Sequence, residues 1–505
     1  MSTIIEELNT AVKELPVLYQ PIFGYEVIGR QPDRICVDRL PDITKIYDAL
    51  NKELKRPLHV LDLGCNLGFF SFHAAKRGGV VTGVDVDQKN IRICKILARE
   101  NPDCQVKFIE SKLEEFIPKI KKGEYDLVFC FSVLHWCTLA EGFPFIQKLL
   151  EDLSKKIPTG LFELAQRKEF PKNNLPASYR DFLQGYSFIR VMSYNVWGHY
   201  RNFRRPFIFV SNNYAHFDEF GLLKIDICDS HPLNPKNLFY YHCGDKFIKM
   251  RCIGNQTDFE RTQREINFLS KLGGQNGLPK LYTAFGENDE AGLRFFIVRE
   301  KIIGISLSQK LKEDKNLNRW EIIKQILQWQ IFFAKRGYYS SDLHTGNFIY
   351  SEDGKLYPID YELMINEPVS IRWPYNLKLE FFNLMNVIFE PDNVNYKERL
   401  FEHTNGKMLS AFRKHVSEYQ YCQISALKDS EDFFEQLYEI LFPSEEKKEL
   451  PTMAELEIVA IGKYLDELGI YVQADRYKLN ELTNIIMNQQ KRIEQLEKII
   501  KERLQ

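Results

Sequence analysis

The chain has 505 residues, of which 44% are apolar, 13% aromatic and 27% charged, the composition of a folded globular protein. Its length predicts about two to four domains, each large enough to bury its own core. A formal net charge of −1 supplies no global basic field and argues against nucleic acid as a partner.

The ten cysteines include no CxxC pair and no Cys/His cluster with zinc spacing. Apolar surroundings such as those of Cys130 and Cys252 predict buried, reduced thiols and hence a cytoplasmic location. The opening residues are charged early and lack the apolar core of a signal peptide. No window reaches about 18 uninterrupted apolar residues, so no membrane span is expected.

Residues 1–50 read as helical, with Leu8, Val12 and Leu15, then Ile43, Tyr47 and Leu50, at helix-like spacings. From 57 to 165, apolar strands alternate with amphipathic helices. The strands are His59–Leu63, Val80–Val84, Val106–Ile109, Tyr125–Phe131 and Gly160–Leu164, which predicts an α/β domain with a largely parallel sheet. Residues 166–205 read as irregular, aromatic and Arg-containing. The strong strand Phe207–Val210 then closes the sheet, with a boundary at Asn212-Asn213. A second cycle begins with β-like Phe239–Met250, a charged helix Asp258–Leu272 and a hairpin of Lys280–Ala284 with Arg294–Arg299. Helices dominate from Ile305 to residue 440, and strands before helices predict a two-lobed α+β domain. The expected domains are 1–212, 213–452 and a helical, coiled-coil segment 453–505.

The first chemical signature is Asp62-Leu63-Gly64-Cys65-Asn66-Leu67-Gly68, which follows an apolar strand and opens the helix Phe69–Arg77. Glycines let a ligand approach backbone where a side chain would clash. Asp85 ends the next strand, where an acid is suited to ribose hydroxyls. A dinucleotide loop would read GxGxxG, whereas this one reads GxxxG with an acid before it. The spacing resembles that of the class I (Rossmann-like) S-adenosylmethionine-dependent methyltransferases. In such a site Glu110, Lys112 and Leu113 suit adenine contacts, and Phe131-Ser132-Val133-Leu134-His135-Trp136 ends the fourth strand near the substrate, with Ser132 in the donor set. His135 is either a base or a structural hydrogen-bonder. A phosphate acceptor would require no base, because its oxyanion is already nucleophilic, and catalysis would then be mainly positioning.

The second signature is Ser341-Asp342-Leu343-His344-Thr345-Gly346-Asn347, followed by Pro358-Ile359-Asp360-Tyr361-Glu362. Phosphoryl transfer needs one acid to orient the acceptor hydroxyl, and a second acid with an amide to hold magnesium on the phosphates. Asp342 fills the first role, and Asn347 with Asp360 the second. Lys249 on a strand and Glu265 on the next helix supply the Lys–Glu pair that anchors phosphates in kinases. Two departures separate the chain from standard protein kinases: Ser340 stands where the usual His would, and DFG reads Asp360-Tyr361-Glu362. The small-molecule branch of kinase-like folds is the better match.

With both signatures in hand, the chain resembles the WbdD-type bifunctional methyltransferase–kinases that cap bacterial polymannose O-antigen chains. The resemblance runs from Leu15-Pro16-Val17-Leu18-Tyr19-Gln20-Pro21-Ile22-Phe23-Gly24 through both motif sets to Trp373-Pro374-Tyr375-Asn376-Leu377 and the coil. It implies ATP-dependent, magnesium-dependent phosphorylation of the terminal mannose, then methylation of that phosphate, so that polymerisation stops. By position it also implies that Tyr19, Gln20, Arg39 and Gln88 join Gly64 and Asp85 around S-adenosylmethionine, and that Glu300–Ile302 form the adenine hinge. Asp342 is then the catalytic acid. The implied partners are a lipid-linked O-antigen glycan and a membrane-associated polymerase, at the inner membrane. The resemblance is looser over 166–205 and 213–245, where the acceptor would be decided. Arg201, Arg204 and Arg205 either hold a phosphorylated sugar or edge the last strand.

From Leu479 a heptad seam places Leu479, Ile486, Ile493 and Ile500 at a, and Leu482, Gln489, Leu496 and Arg503 at d. Packing rules lean toward a parallel dimer, whereas the family resemblance implies a homotrimer. Two other readings stay open: a sugar O-methyltransferase whose kinase-like domain only binds substrate, and a trimeric assembly scaffold.

Overall fold

The computed structural model describes residues 2–25, 31–34, 36–170, 175–176, 178–196, 204–230, 237–289, 292–340, 342–366, 377–391, 414–417, 420, 423–424, 427 and 430–444. Two compact units divide the chain: Met1–Asn255 with Tyr282–Lys301, and Gln256–Leu281 with Ile302 onward. The heptads, residues 367–376 and Arg201 lie outside the described residues.

In the first unit, helices α1 (Ser2–Lys13) and α2 (Leu40–Leu54) are amphipathic, and α2 buries Ile43, Ile46, Tyr47 and Leu50 at helical spacing. Then β1 (His59–Leu63), α3 (Phe69–Lys76), β2 (Val80–Asp85), α4 (Gln88–Glu100), β3 (Val106–Glu110), α5 (Leu113–Phe116), β4 (Leu127–Phe131), α6 (Leu134–Glu141), α7 (Phe143–Lys156) and β5 (Thr159–Glu163) alternate. After α8 (Tyr179–Leu183), strands β6 (Phe188–Val196) and β7 (Arg204–Ser211) complete a seven-stranded sheet in the order β3-β2-β1-β4-β5-β7-β6. The first five in that order are parallel, and β7 runs antiparallel to both β5 and β6.

Crossover helices cover both faces of such a sheet, which is why β4 and β5 are buried at every residue. Alternation along the strands divides the side chains: Val60, Phe129 and Leu161 enter one core, and Leu61, Val128 and Phe162 the other. Strand order reverses between β1 and β4, so the crevice at their carboxyl ends is the natural ligand site. Strand β6 and helix α8 occupy the stretch expected to be irregular. The strand was hidden because its register shifts between Val191 and Ser193, breaking the period-two pattern.

A small hairpin, β8 (Tyr214–Phe217) with β9 (Gly221–Lys224), leads to a five-stranded sheet. Its strands are β10 (Ile227–Ser230), β11 (Leu238–Cys243), β12 (Lys246–Cys252), β13 (Leu281–Asp289) and β14 (Gly292–Glu300), in the order β10-β11-β12-β14-β13. The single β-like run expected over 239–250 is thus two strands, folded back at Gly244, whose φ of 57° suits glycine. Phe188 of β6 meets Tyr241 and Phe296 edge-on or tilted, which seats this sheet on the first one.

The second unit begins with α9 (Gln256–Leu272) and continues with β15 (Ile305–Ser306), α10 (Leu307–Glu313) and α11 (Arg319–Ala334). Asn318 caps α11 by accepting from the backbone N–H groups of Trp320 and Glu321. Short strands β16 (Tyr339–Ser340), β17 (Phe348–Tyr350), β18 (Leu356–Pro358) and β19 (Met364–Ile365) follow, then α12 (Leu377–Phe389) and a helix Phe433–Leu441. Their core gathers Ile322, Ile323, Ile326 and Leu327 with Phe381, Leu384, Phe433 and Leu437. The loop bearing Asp342 runs between β16 and β17.

Candidate functional site

At the carboxyl end of β1 the chain turns through Gly64 at φ 73°, with Gly64 and Cys65 both donating N–H to the carbonyl of Val84. A Cβ on Gly64 would lie 2.2 Å from Val133 Cγ2, so only glycine fits. Asp85 ends β2 and accepts from the N–H groups of Asn66 (2.8 Å) and Asp87 (2.9 Å) and from Asn90 Nδ2 (3.3 Å). Burial raises its carboxyl above the usual range even against those three donors.

Asp62, which opens the same motif, is buried. It accepts from Ser71 Oγ at 2.6 Å and ties β1 to α3, and burial pushes its carboxyl up to about 7. Around Asp85 stand Glu110, opposite it in register at the end of β3, and Leu113, buried at the start of α5. Lys112 precedes Leu113 with its ammonium 4.0 Å from Glu114. Gln88 opens α4 and lines one groove together with Glu110.

The segment after α1 supplies Tyr19, Gln20 and Arg39. Arg39 is buried and donates from Nε to Glu163 Oε1 at 2.9 Å. Arg34 is buried too. It reaches Glu163 Oε1 at 2.9 Å, Ser132 Oγ at 3.2 Å and the Tyr19 hydroxyl at 3.3 Å. Ser132, at φ 60°, donates to the other oxygen of Glu163. Two residues here escaped the sequence reading, Arg34 and Glu163. Glu163 left one signal, a lone acid at the end of the apolar strand Thr159-Gly160-Leu161-Phe162-Glu163. Arg34 left none.

Two buried polar atoms, Gln20 Oε1 and Asn66 Oδ1, have no hydrogen-bond partner among the described residues. With the glycine cradle and the Asp85 carboxylate, they fit a polar ligand of the S-adenosylmethionine kind. His135 is buried, and burial with the nearby Arg205 pushes its imidazole down to about 3, so it is neutral at pH 7. That makes it a poor base and leaves it hydrogen-bonding capacity of both kinds. Arg205 is not offered to an acceptor: its guanidinium is 1% exposed and clamps Glu169 at 2.7 Å. Arg204 begins β7 at an exposed position.

In the second unit, Asp342, Asn347 and Asp360 line one pocket with Ser340, Leu343 and Tyr361. Asn347 Nδ2 donates to Asp342 O (2.9 Å) and Oδ2 (3.2 Å), and His344 Nε2 lies 3.4 Å from Oδ2. Burial pushes the Asp342 carboxyl up, but His344 and Asn347 outweigh it and hold the group below its usual range. Ser340 replaces the expected histidine by accepting the Asp342 N–H at 3.3 Å. Tyr361 is fully buried and stacks on Phe268 of α9 at 4.9 Å. Glu265, Asp360 and Glu362 bring carboxylate oxygens within 4.8 Å of one another, a donor set suited to a hard divalent cation. Lys249 is buried on β12 of the first unit, across from Tyr240 and Ile297. Glu300 ends β14 opposite Lys246, and Ile302 opens the second unit's second segment.

A methyltransferase-domain family model matches residues 60–155. The O-antigen chain terminator bifunctional methyltransferase/kinase WbdD of Escherichia coli is 30% identical over 402 residues, 76% of this chain and 56% of that protein. The chain thus spans about half the length of the curated relatives it matches. A crystal structure of WbdD superposes with a TM-score of 0.68 at 26% identity, covering 90% of this chain and 99% of that one. A second WbdD structure, with its C-terminal bundle ordered, gives 0.71 and covers 97% of this chain and 100% of that one. In sequence and in fold, the chain is a relative of WbdD, similar to it well beyond the methyltransferase domain.

Proposed function

We propose that the chain terminates a cell-surface polysaccharide in two steps. It phosphorylates the non-reducing terminal sugar, mannose, from ATP, and then methylates that phosphate from S-adenosylmethionine. The observation that carries this reading is the coexistence, on one WbdD-like chain, of the glycine-and-Asp85 cradle and the Asp342–Asn347–Asp360 pocket.

In the first step the Asp342 carboxylate, held ionised by His344 and Asn347, orients the attacking sugar hydroxyl and takes its proton as the bond to phosphorus forms. Asp360, with Asn347, would hold magnesium, which neutralises charge on the nucleotide phosphates when bound. Lys249 is assigned to phosphate and Glu265 to its support; Glu300 and Ile302 are assigned to adenine. In the second step Tyr19, Gln20, Arg39, Asp62, Gly64, Asp85, Gln88, Glu110, Lys112, Leu113 and Ser132 would hold S-adenosylmethionine, whose sulfonium supplies the methyl group when bound. A phosphate oxyanion needs no proton removed, in keeping with a neutral His135.

We assign residues 1–212 to methyl transfer, 213–452 to phosphoryl transfer and 453–505 to trimerisation. Among the described residues no helix is long and apolar enough to cross a membrane. Peripheral attachment to a membrane-bound polymerase is part of this proposal.

Incubation with ATP, magnesium, S-adenosylmethionine and a synthetic mannoside should add 80 and then 14 mass units to the product, roughly the masses of one phosphoryl and one methyl group. Asp342→Ala should abolish both additions on a plain mannoside and spare methylation of a pre-phosphorylated one. Methylation of the plain mannoside by that variant would overturn the order proposed.

A further inference from the structure

The carboxyl end of β4 carries a feature that neither cofactor explains. Helix α6 begins directly over the donor loop, because Val133, which would collide with any Cβ on Gly64, immediately precedes it. Its second residue, His135, is 5% exposed, and Nδ1 has no hydrogen-bond partner among the described residues. Its third residue, Trp136, is 62% exposed. The two rings lie 5.0 Å apart, tilted by 40°, and Phe170 supports both, 5.0 Å from the imidazole and 6.1 Å from the indole.

A mostly exposed indole beside a buried imidazole with an unpartnered Nδ1 pairs an apolar surface with a polar one, the combination an amphipathic ligand needs. Leu139, one turn on, is also exposed, but these two side chains make a patch far smaller than the ~800 Å² per partner of a stable protein interface. Nucleic acid is excluded on charge, since α6 carries no basic residue to accompany the ring. A sugar ring fits: its apolar C–H face covers an aromatic side chain, and its hydroxyls seek polar partners at the edge.

From this geometry we infer that Trp136 is the stacking platform for a hexopyranose ring of the methyl acceptor, with His135 the polar partner of that ring's substituents. The inference rests on the proposed function in one respect, the glycan nature of the acceptor. His135 lies among Arg34, Glu163 and Arg205, so a ring on Trp136 sits beside the donor site and a terminal phosphate points toward it. Specificity for sugar over free phosphate then comes from the indole.

Two measurements on the full chain test this. With a chemically phosphorylated mannoside and S-adenosylmethionine, Trp136→Ala should raise KM for the mannoside about tenfold, the effect of about 1.4 kcal/mol. Its kcat and its affinity for S-adenosylmethionine by calorimetry should stay within twofold. Phe145→Ala, an exposed aromatic on α7, is the control and should leave KM unchanged. If Trp136→Ala does not fold, Trp136→Phe should keep KM and Trp136→Leu, apolar but without a flat face, should raise it. Equal KM values for these variants and the wild type would overturn the platform. The second measurement is saturation-transfer NMR with unphosphorylated mannotriose. The wild type should saturate the ring protons and Trp136→Ala should not. Ring binding that needs Trp136, without any methyl transfer, would sink the proposed function and leave the platform standing. Methyl transfer with no dependence on Trp136 would do the reverse, and absence of both would overturn the two together.

Discussion

Arg34 and Glu163 form a buried ion pair, 2.9 Å apart and exposed by only 3% and 1% at their side chains. Arg39 shares the same carboxylate oxygen at the same distance. The loop after α1 is thereby fastened to the end of β5, across the crevice where the strand order reverses.

Breaking such a pair from one side leaves a charge buried without its partner, which typically destabilises by about 3–5 kcal/mol. Glu163→Ala should therefore lower stability to urea by about that much. S-adenosylmethionine affinity should fall with it, because Tyr19 and Ser132 are both bonded to Arg34. An unchanged urea midpoint would mean that the pair is not closed in solution.

Gly64→Ala places a methyl 2.2 Å from Val133 Cγ2 at a backbone φ of 73°. Overpacking of this kind costs about 1–3 kcal/mol. The expected result is at least a tenfold loss of S-adenosylmethionine affinity by calorimetry. Gly64→Ala combined with Val133→Ala should recover part of it.

Asp342→Asn keeps the side-chain shape but removes the charge proposed to orient the acceptor hydroxyl. Phosphoryl transfer should fall by about 10²–10⁴-fold. Asn347→Ala should also slow it, since the amide makes two hydrogen bonds to Asp342. Neither change should alter S-adenosylmethionine binding.

Buried histidines set part of the acid response. His135 is pushed down to about 3 and His216 to about 4, each chiefly by burial and then by a neighbouring arginine, Arg205 and Arg190 respectively. Unfolded, each takes a proton near pH 6.5. Between about 6.5 and those lower values the unfolded chain binds more protons, so stability falls as pH drops through this window. Asp62 has the opposite sign: raised to about 7, its contribution is present below the unfolded value and lost as pH rises through 7. The thermal midpoint of His216→Asn should depend less on pH between 4 and 6.5 than that of the wild type. That of Asp62→Asn should depend less between 4 and 7.

Phe268 is fully buried in the second unit, where it stacks on Tyr361 and meets Phe333 and Tyr338 edge-on. Phe268→Ala should destabilise that unit by about 3–5 kcal/mol, as read by its unfolding transition. Phosphoryl transfer should fall as well, because Tyr361 follows Asp360 directly.

The methyl-donor loop was legible because its chemistry is local: glycines, an acid and the strand before them lie within one strand–turn–helix. Asp342, Asn347 and Asp360, which line one pocket, stand close enough along the chain to be picked out together. Strand β6 was not, because a bulge spoils its alternation. Asp62 stands just before the glycine loop in sequence, and only the fold shows its carboxylate accepting from Ser71. The arginines at 204 and 205 looked alike in sequence, yet one lies exposed and the other is sealed against Glu169.

Short-range pattern by itself determined the five parallel strands of the first sheet and the two motif-bearing segments. Only the tertiary structure decided which partners those residues meet and how deeply they are buried. Arg34 meets Glu163 from 129 positions away, and Trp136 is mostly exposed while its neighbour His135 is buried. Burial and pairing depend on what the rest of the chain brings alongside, and no window of sequence contains that information.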